Sequence, residues 1–315
     1  MSSSSVSETM AIPRNNIHGL IAATFTPMTA DDEINLPVIG PYVDYLVKVQ
    51  GVKNIFVNGT TGEGISLTVE ERKLVAEEWI KQGKDKLDQV IVHIGSLSLK
   101  ETKQLAEHAE KHKASGIAVI SPSFIKPKNI DALVKFLQEV ASAAPNLPLY
   151  YYHIPELTGV FFNMEELLDG IEKKIPTFQG LKFTSSDLLD FGQCVYKYKD
   201  KFALLYGKDE QLLPAMVLGA SGGIGSTYNY FGTLFNKMLS ALKKGDNKLA
   251  RQHQFKVQDF IRYLYKLEAG VSENKTVMSL VSGLPLGPPR LPLLKCSQEN
   301  AVKLEAKLKE MGLLA

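Results

Sequence analysis

From Gly19 to Lys243 the chain repeats one pattern eight times. A short apolar run rich in β-branched and aromatic residues is followed by a Gly, Thr, Ser or Pro break and then by a segment with helical periodicity. The apolar runs are Leu20–Thr26, Asn54–Asn58, Val90–Gly95, Gly116–Ser121, Leu149–His153, Gly180–Phe183, Ala203–Gly207 and Gly222–Gly225. The helical segments are Leu36–Gln50, Thr68–Gln82, Ser98–His112, Ile130–Ala143, Met164–Lys173, Asp187–Lys199, Asp209–Leu218 and Tyr228–Lys243. Strands separated by helices pair in parallel through helical crossovers, and eight such units close a (β/α)8 TIM barrel. An open doubly wound sheet uses fewer units or splits into two halves, and no dinucleotide fingerprint follows the first run. The expected fold class is α/β, a (β/α)8 TIM barrel with a C-terminal helical extension.

Three regions follow from the pattern. Residues 1–16 are Ser-rich and aperiodic, as in a disordered segment. Residues 17–245 are assigned to the barrel. The alternation then stops, and residues 246–315 carry helical patterns at Leu249–Leu267, Asn274–Val281 and Gln298–Met311 around the Pro/Gly-rich stretch Gly283–Pro292. So short a region makes a marginal core alone and is expected to pack on the barrel.

Composition narrows the function. The 36 Lys and Arg residues against 34 Asp and Glu leave a net charge of +2, which argues against a nucleic-acid or membrane-surface partner. Cys194 and Cys296 lack CxxC spacing, so neither a disulfide framework nor a Cys-ligated zinc site is expected. No apolar run approaches the ~18 residues of a membrane helix, and no signal-peptide pattern opens the chain. A cytoplasmic location is expected, in which the sequons at Asn58 and Asn274 are incidental. His108 and His112 stand four residues apart on a Lys/Glu-rich helix with no third ligand nearby in sequence, and read as a solvated face rather than a metal site.

In such a barrel the chemistry sits at the C-terminal ends of the strands. Within Gly180-Leu181-Lys182-Phe183-Thr184, alternation sends Leu181 and Phe183 toward the helices and Lys182 with Thr184 toward the lumen. Desolvation there disfavours an ammonium and favours the free amine that attacks a carbonyl carbon. The plainer reading is a lysine that snorkels or pairs with a carboxylate in the barrel mouth. Tyr150 and Tyr152 share one face, where a phenol beside an imine-forming lysine can move protons or simply fill the core. His153 falls on the other face. The turn Gly59-Thr60-Thr61-Gly62-Glu63 offers two hydroxyls suited to a small carboxylate. The glycines from Gly219 to Gly225 lack the Lys-Ser/Thr pair of a P-loop but allow close backbone approach beside Ser226. Asp209 and Glu210 can accept hydrogen bonds from sugar hydroxyls or complement a helix dipole.

These motifs, taken in order with His153-Ile154-Pro155 and Gly222-Gly223-Ile224-Gly225-Ser226-Thr227-Tyr228-Asn229, resemble the N-acetylneuraminate lyase / dihydrodipicolinate synthase family from about Ile17 to Leu293. The Tyr-Tyr-Tyr-His-Ile-Pro run and Gly287-Pro288-Pro289-Arg290-Leu291-Pro292 look like its animal-type lyase branch. The resemblance implies a Schiff-base barrel that handles pyruvate with no metal or organic cofactor. It gives Lys182 the imine and Tyr152 the proton shuttle. Thr60 and Thr61 would hold the pyruvyl carboxylate, while Thr184, Gly207, Asp209, Glu210 and Ser226 line the sugar-hydroxyl side. It further implies sialic acid (N-acetylneuraminate) as substrate, N-acetylmannosamine and pyruvate as products, and a homotetramer.

Two positions depart from the wider family. Leu157 stands where the synthases place an arginine five residues after the shuttle tyrosine, which argues against aspartate semialdehyde as a partner. Phe124 stands where the synthases and bacterial lyases carry a tyrosine supplied across a subunit interface, so no hydroxyl relay runs through it; water or Thr61 is left to complete the proton path. A related aldolase or dehydratase acting on another 2-keto-3-deoxy acid stays open. So does a non-catalytic sialic acid or pyruvate sensor, although a sensor is expected to lack the nucleophile or the shuttle.

Overall fold

A computed structural model describes residues 17–314; the segment 1–16, expected to be disordered, lies outside them. Eight strands follow one another: β1 (Gly19–Ala23), β2 (Asn54–Val57), β3 (Gln89–His93), β4 (Gly116–Ile120), β5 (Leu149–His153), β6 (Phe178–Phe183), β7 (Ala203–Tyr206) and β8 (Gly222–Gly225). All neighbours pair in parallel, and β8 closes on β1 with Gly222 opposite Gly19. The (β/α)8 barrel expected from the repeat is the fold.

Strand alternation builds two cores. Ile21, Phe56, Ile91, Ala118, Tyr150, Tyr152, Leu205 and Ile224 meet in the lumen. Their neighbours Ala22, Ile55, Val92, Ile117, Tyr151, Leu181, Phe183 and Leu204 face outward into the layer shared with the helices. Strands buried on both faces read as continuous apolar runs, which explains why the repeat is so visible in the sequence.

The outer layer comprises α1 (Ile39–Tyr45), α2 (Val69–Gly83), α3 (Leu99–Lys111), α4 (Ile130–Ala141), the short turns α5 (Pro155–Thr158), α6 (Met164–Leu168) and α7 (Ile171–Lys174), then α8 (Leu188–Tyr198), α9 (Leu212–Leu218) and α10 (Tyr228–Lys243). Thr68-Val69-Glu70-Glu71 has the spacing of a capping box, and α2 opens with one: Glu71 N donates to Thr68 Oγ1 at 3.2 Å and Thr68 N donates to Glu71 Oε2 at 2.7 Å. Three expected helices are divided; one of them, Asp209–Leu218, forms a 3-10 turn (Asp209–Gln211) followed by α9. Leu36–Gln50 divides into a 3-10 turn, α1 and a π turn, Leu46–Gln50. Gln50 there donates to Tyr45 Oη and accepts from Thr233 N, tying the turn to α10. Met164–Lys173 divides at Asp169-Gly170, where Asp169 is extended and Gly170 takes a left-handed φ of 68°. At β6 the strand starts at Phe178, two residues before the expected run.

Three further helices follow the barrel: α11 (Asn247–Lys266), α12 (Val271–Ser282) and α13 (Gln298–Glu310). The segment between α12 and α13 returns across the mouth of the barrel, where Met28 N donates to Leu286 O at 2.9 Å.

Candidate active site

Lys182 projects from β6 into the top of the lumen, in register with Tyr152 on β5 and Leu205 on β7. Its Nζ lies 3.9 Å from the centroid of the Tyr152 ring and 4.3 Å from that of Phe56. Lys182 is 4% exposed and Tyr152 2%. Among the described residues, no carboxylate forms an ion pair with this amine, so the plainer reading of a lysine paired in the barrel mouth does not hold. Two π faces take the place of a counter-ion. The Tyr152 hydroxyl shares a hydrogen bond of 3.2 Å with Thr60 Oγ1.

Above the lysine opens a cavity of about 270 Å³. All nine residues singled out from sequence line it: Thr60, Thr61, Tyr152, Lys182, Thr184, Gly207, Asp209, Glu210 and Ser226. They come from the ends of β2, β5, β6, β7 and β8, the face where barrel chemistry collects.

The Thr60–Thr61 turn is held from both sides. Thr26 Oγ1 donates to Gly62 O at 2.7 Å. Behind the turn, the buried Glu63 carboxylate accepts from Lys275 Nζ at 3.0 Å and from Arg290 N at 2.8 Å. Arg290 in turn forms a two-armed pair with Glu71, at 2.7 and 2.8 Å, the fork geometry in which arginine binds carboxylate best.

The opposite wall depends on glycines and on α11. A Cβ on Gly225 would lie 1.6 Å from Asp209 Oδ1, and one on Gly207 would lie 1.9 Å from Thr184 Oγ1. Only residues without a side chain let these polar groups approach. Asp209 Oδ2 accepts from Thr227 N at 2.8 Å and from Thr227 Oγ1. Burial pushes the Asp209 carboxyl up to about 6, with the Thr227 bonds opposing the rise. Gln254 and Gln258 of α11 donate to the backbone carbonyls of Asp209 and Glu210, and Tyr265 Oη donates to Glu210 Oε1 at 3.0 Å. Asn229 donates to Ser226 O and Ala23 O and accepts from Tyr42 Oη, setting the turn after β8.

Two histidines flank this centre without entering the cavity. His93 donates from Nδ1 to Asn58 O at 3.0 Å, and burial drives its pKa far below the usual imidazole value. Its ring stands 5.9 Å from that of Tyr152. His153 turns outward against Phe183, as alternation predicts, and burial pulls it down to about 4.

Several cavity residues escaped the sequence reading. Thr227 lies inside a motif already singled out and was open to detection. Lys208, paired with Glu156 at 3.3 Å, follows a site glycine and carried no signal of its own. Tyr265, Ala269 and Asn274 come from the C-terminal extension, which thus contributes a wall of the cavity. Phe124 is 85% exposed and lies outside it. Leu157 is 65% exposed and lines an adjoining cavity of about 340 Å³ that shares Thr60. Both cysteines are free, and no helix among the described residues is long and apolar enough to cross a membrane.

Comparison with known proteins agrees with this geometry. The chain is 62% identical over 307 residues to the N-acetylneuraminate lyase of Rattus norvegicus and to that of Homo sapiens, in each case covering 97% of this chain and 96% of the relative. Among solved structures, the N-acetylneuraminate lyase of Proteus mirabilis superposes with a TM-score of 0.90 at 38% identity, covering 95% of this chain and 100% of that one. The model of the dihydrodipicolinate synthetase family matches residues 16–311. A match that runs without a break through the eight strands, the lysine-bearing lumen and the appended helices makes this chain a member of the dihydrodipicolinate synthetase family.

Proposed function

We propose that this chain is a class I aldolase that reversibly cleaves N-acetylneuraminate into N-acetylmannosamine and pyruvate. The observation that carries the reading is the Lys182 amine, buried beneath the Tyr152 ring at the floor of a polar cavity. The likeness to lyases of that name over nearly the whole chain supports it.

Lys182 Nζ attacks the keto carbon of the open-chain sugar acid, and water leaves to give an imine. Once protonated, the imine accepts the electron pair of the bond between carbons 3 and 4. Tyr152, supported by Thr60, takes the proton of the 4-hydroxyl as that bond breaks, so carbon 4 leaves as the aldehyde of N-acetylmannosamine. The enamine is reprotonated at carbon 3, and water releases pyruvate and the free lysine. Thr60 and Thr61 hold the carboxylate, and Thr184, Gly207, Asp209, Glu210 and Ser226 line the path of the sugar hydroxyls. The cycle returns every proton and needs no metal or organic cofactor.

A cytoplasmic homotetramer belongs to the same reading, and the exposed apolar pair Phe124 and Ile125 after β4 suits a subunit contact. Borohydride reduction in the presence of pyruvate, followed by peptide mass mapping, tests the mechanism. A reduced pyruvyl adduct on Lys182 is expected; its absence, or its appearance on another lysine, overturns the assignment. Faster cleavage of shorter 2-keto-3-deoxy acids than of N-acetylneuraminate moves the protein to a different aldolase activity.

A further inference from the structure

On the outside of the barrel, His108 and His112 stand one turn apart on α3, with ring centroids 4.3 Å apart and planes inclined by 26°. Glu77 reaches them from α2. Its Oε1 lies 2.7 Å from His108 Nε2 and 3.7 Å from His112 Nε2. One donor atom from each of the three lies within 4.8 Å of the other two. The side chains are 12%, 32% and 40% exposed for His108, His112 and Glu77, so the group is partly sheltered yet open to an ion from solvent. The sequence reading placed His108 and His112 on a solvated face with no third ligand nearby in sequence; the fold brings Glu77, 31 residues earlier on another helix, against His108.

We propose that Glu77, His108 and His112 form a binding site for a first-row divalent cation of the zinc class, linking α2 to α3. Two imidazole nitrogens and one carboxylate oxygen make a recognised zinc donor set. Donors bound tetrahedrally at about 2.0–2.1 Å stand roughly 3.3 Å from one another. The two observed separations from Glu77 Oε1 bracket that value, so small side-chain rotations bring all three into range. The ion replaces the Glu77–His108 hydrogen bond, and any proton on a ligating nitrogen is released. Water completes the coordination. Lys73 and Lys111 are near enough to act on the cluster electrostatically, which limits affinity; Lys73 is engaged by Glu70 at 2.7 Å.

The site is a helix clamp rather than part of the reaction, since none of its three residues lines the cavity. It has a structural reason to matter. In its first turn α2 carries Arg72, whose guanidinium donates to the carbonyls of His93 and Gly95, and Glu71, which holds Arg290.

The test uses full-length, tag-free protein freed of metal with a chelator and titrated with Zn²⁺, then with Co²⁺ to read coordination from its visible absorption. One ion per chain, with a spectrum typical of tetrahedral cobalt and a raised unfolding temperature, is expected. His112→Gln and Glu77→Gln should each weaken binding by about tenfold or more, while circular dichroism and sugar-acid cleavage stay as in the parent. The proposal is overturned if the parent binds neither ion at micromolar concentration. It is equally overturned if His112→Gln, folded by circular dichroism, binds as the parent does.

Discussion

Lys275 Nζ lies 3.0 Å from Glu63 Oε1 with both side chains sealed from solvent, joining α12 to the turn that presents Thr60 and Thr61. Lys275 also donates to Pro288 O at 2.9 Å, so one ammonium fastens α12, its following loop and the substrate turn. Burial pulls the Lys275 pKa below its ordinary value, against the attraction of Glu63.

Lys275→Met leaves the Glu63 charge in the interior with only its remaining partners. A loss of about 3–5 kcal/mol is expected from breaking such a pair on one side. The double variant Lys275→Met/Glu63→Gln should lose less, because no uncompensated charge remains, so a double-mutant cycle by urea unfolding should show strong coupling. Additive losses would show that the pair does not act as a unit.

Tyr152→Phe keeps the ring over Lys182 and removes only the hydroxyl that meets Thr60. Borohydride should still trap pyruvate on Lys182, while kcat for cleavage falls by ~10²–10⁴-fold. Near-normal turnover would remove Tyr152 as the shuttle.

Gly207→Ala introduces a methyl group where Thr184 Oγ1 now sits, at 1.9 Å. The hydroxyl must move into the cavity, and displacements of this size lower kcat/KM by up to ~100-fold. Steady-state kinetics on the sugar acid checks this; an unchanged kcat/KM means that Thr184 does not face the substrate.

His153 gives the protein a defined acid sensitivity. Its pKa in the folded state is about 4, below the ordinary 6.5, because burial opposes the imidazolium; Glu156 and Asp187 oppose that shift weakly. The unfolded chain therefore takes up this proton first. The stabilising contribution is complete above pH 6.5 and is lost as pH falls from 6.5 through 4, amounting to about 3 kcal/mol. Asp209 works in the opposite sense: its carboxyl is raised from 3.8 to about 6, so its contribution is largest below pH 3.8 and disappears as pH rises through 6. His153→Phe should flatten the decline in urea midpoint between pH 6.5 and 4.5. An unaltered slope would assign acid sensitivity to other groups, such as the buried His93.

Much of the site was legible because its cues are local. A lysine between two large apolar residues in a strand has one face open to it, and the lumen is that face. Tyr152 and Thr184 follow from the same period of two. The Thr68 cap depends on a three-residue spacing. The break at Gln50 was not legible, since the groups that hold it include Thr233, 183 residues away. The glycines of β8 announced close approach but not which side chain would use it; Asp209 does so at Gly225.

The sequence by itself determined the eightfold βα repeat, the inward direction of Lys182 and Tyr152, and the hydroxyl-bearing turns at the strand ends. Each is encoded within a few neighbouring residues by periodicity or turn chemistry. The tertiary structure alone decided that Tyr265 and Asn274 of the extension complete the cavity, that Lys275 holds the Thr60–Thr61 turn through Glu63, and that Glu77 meets His108 and His112. Those contacts join elements far apart in the chain. They arise when barrel closure and helix packing bring polar groups together out of water, where each needs a partner; no local pattern records which partner that is.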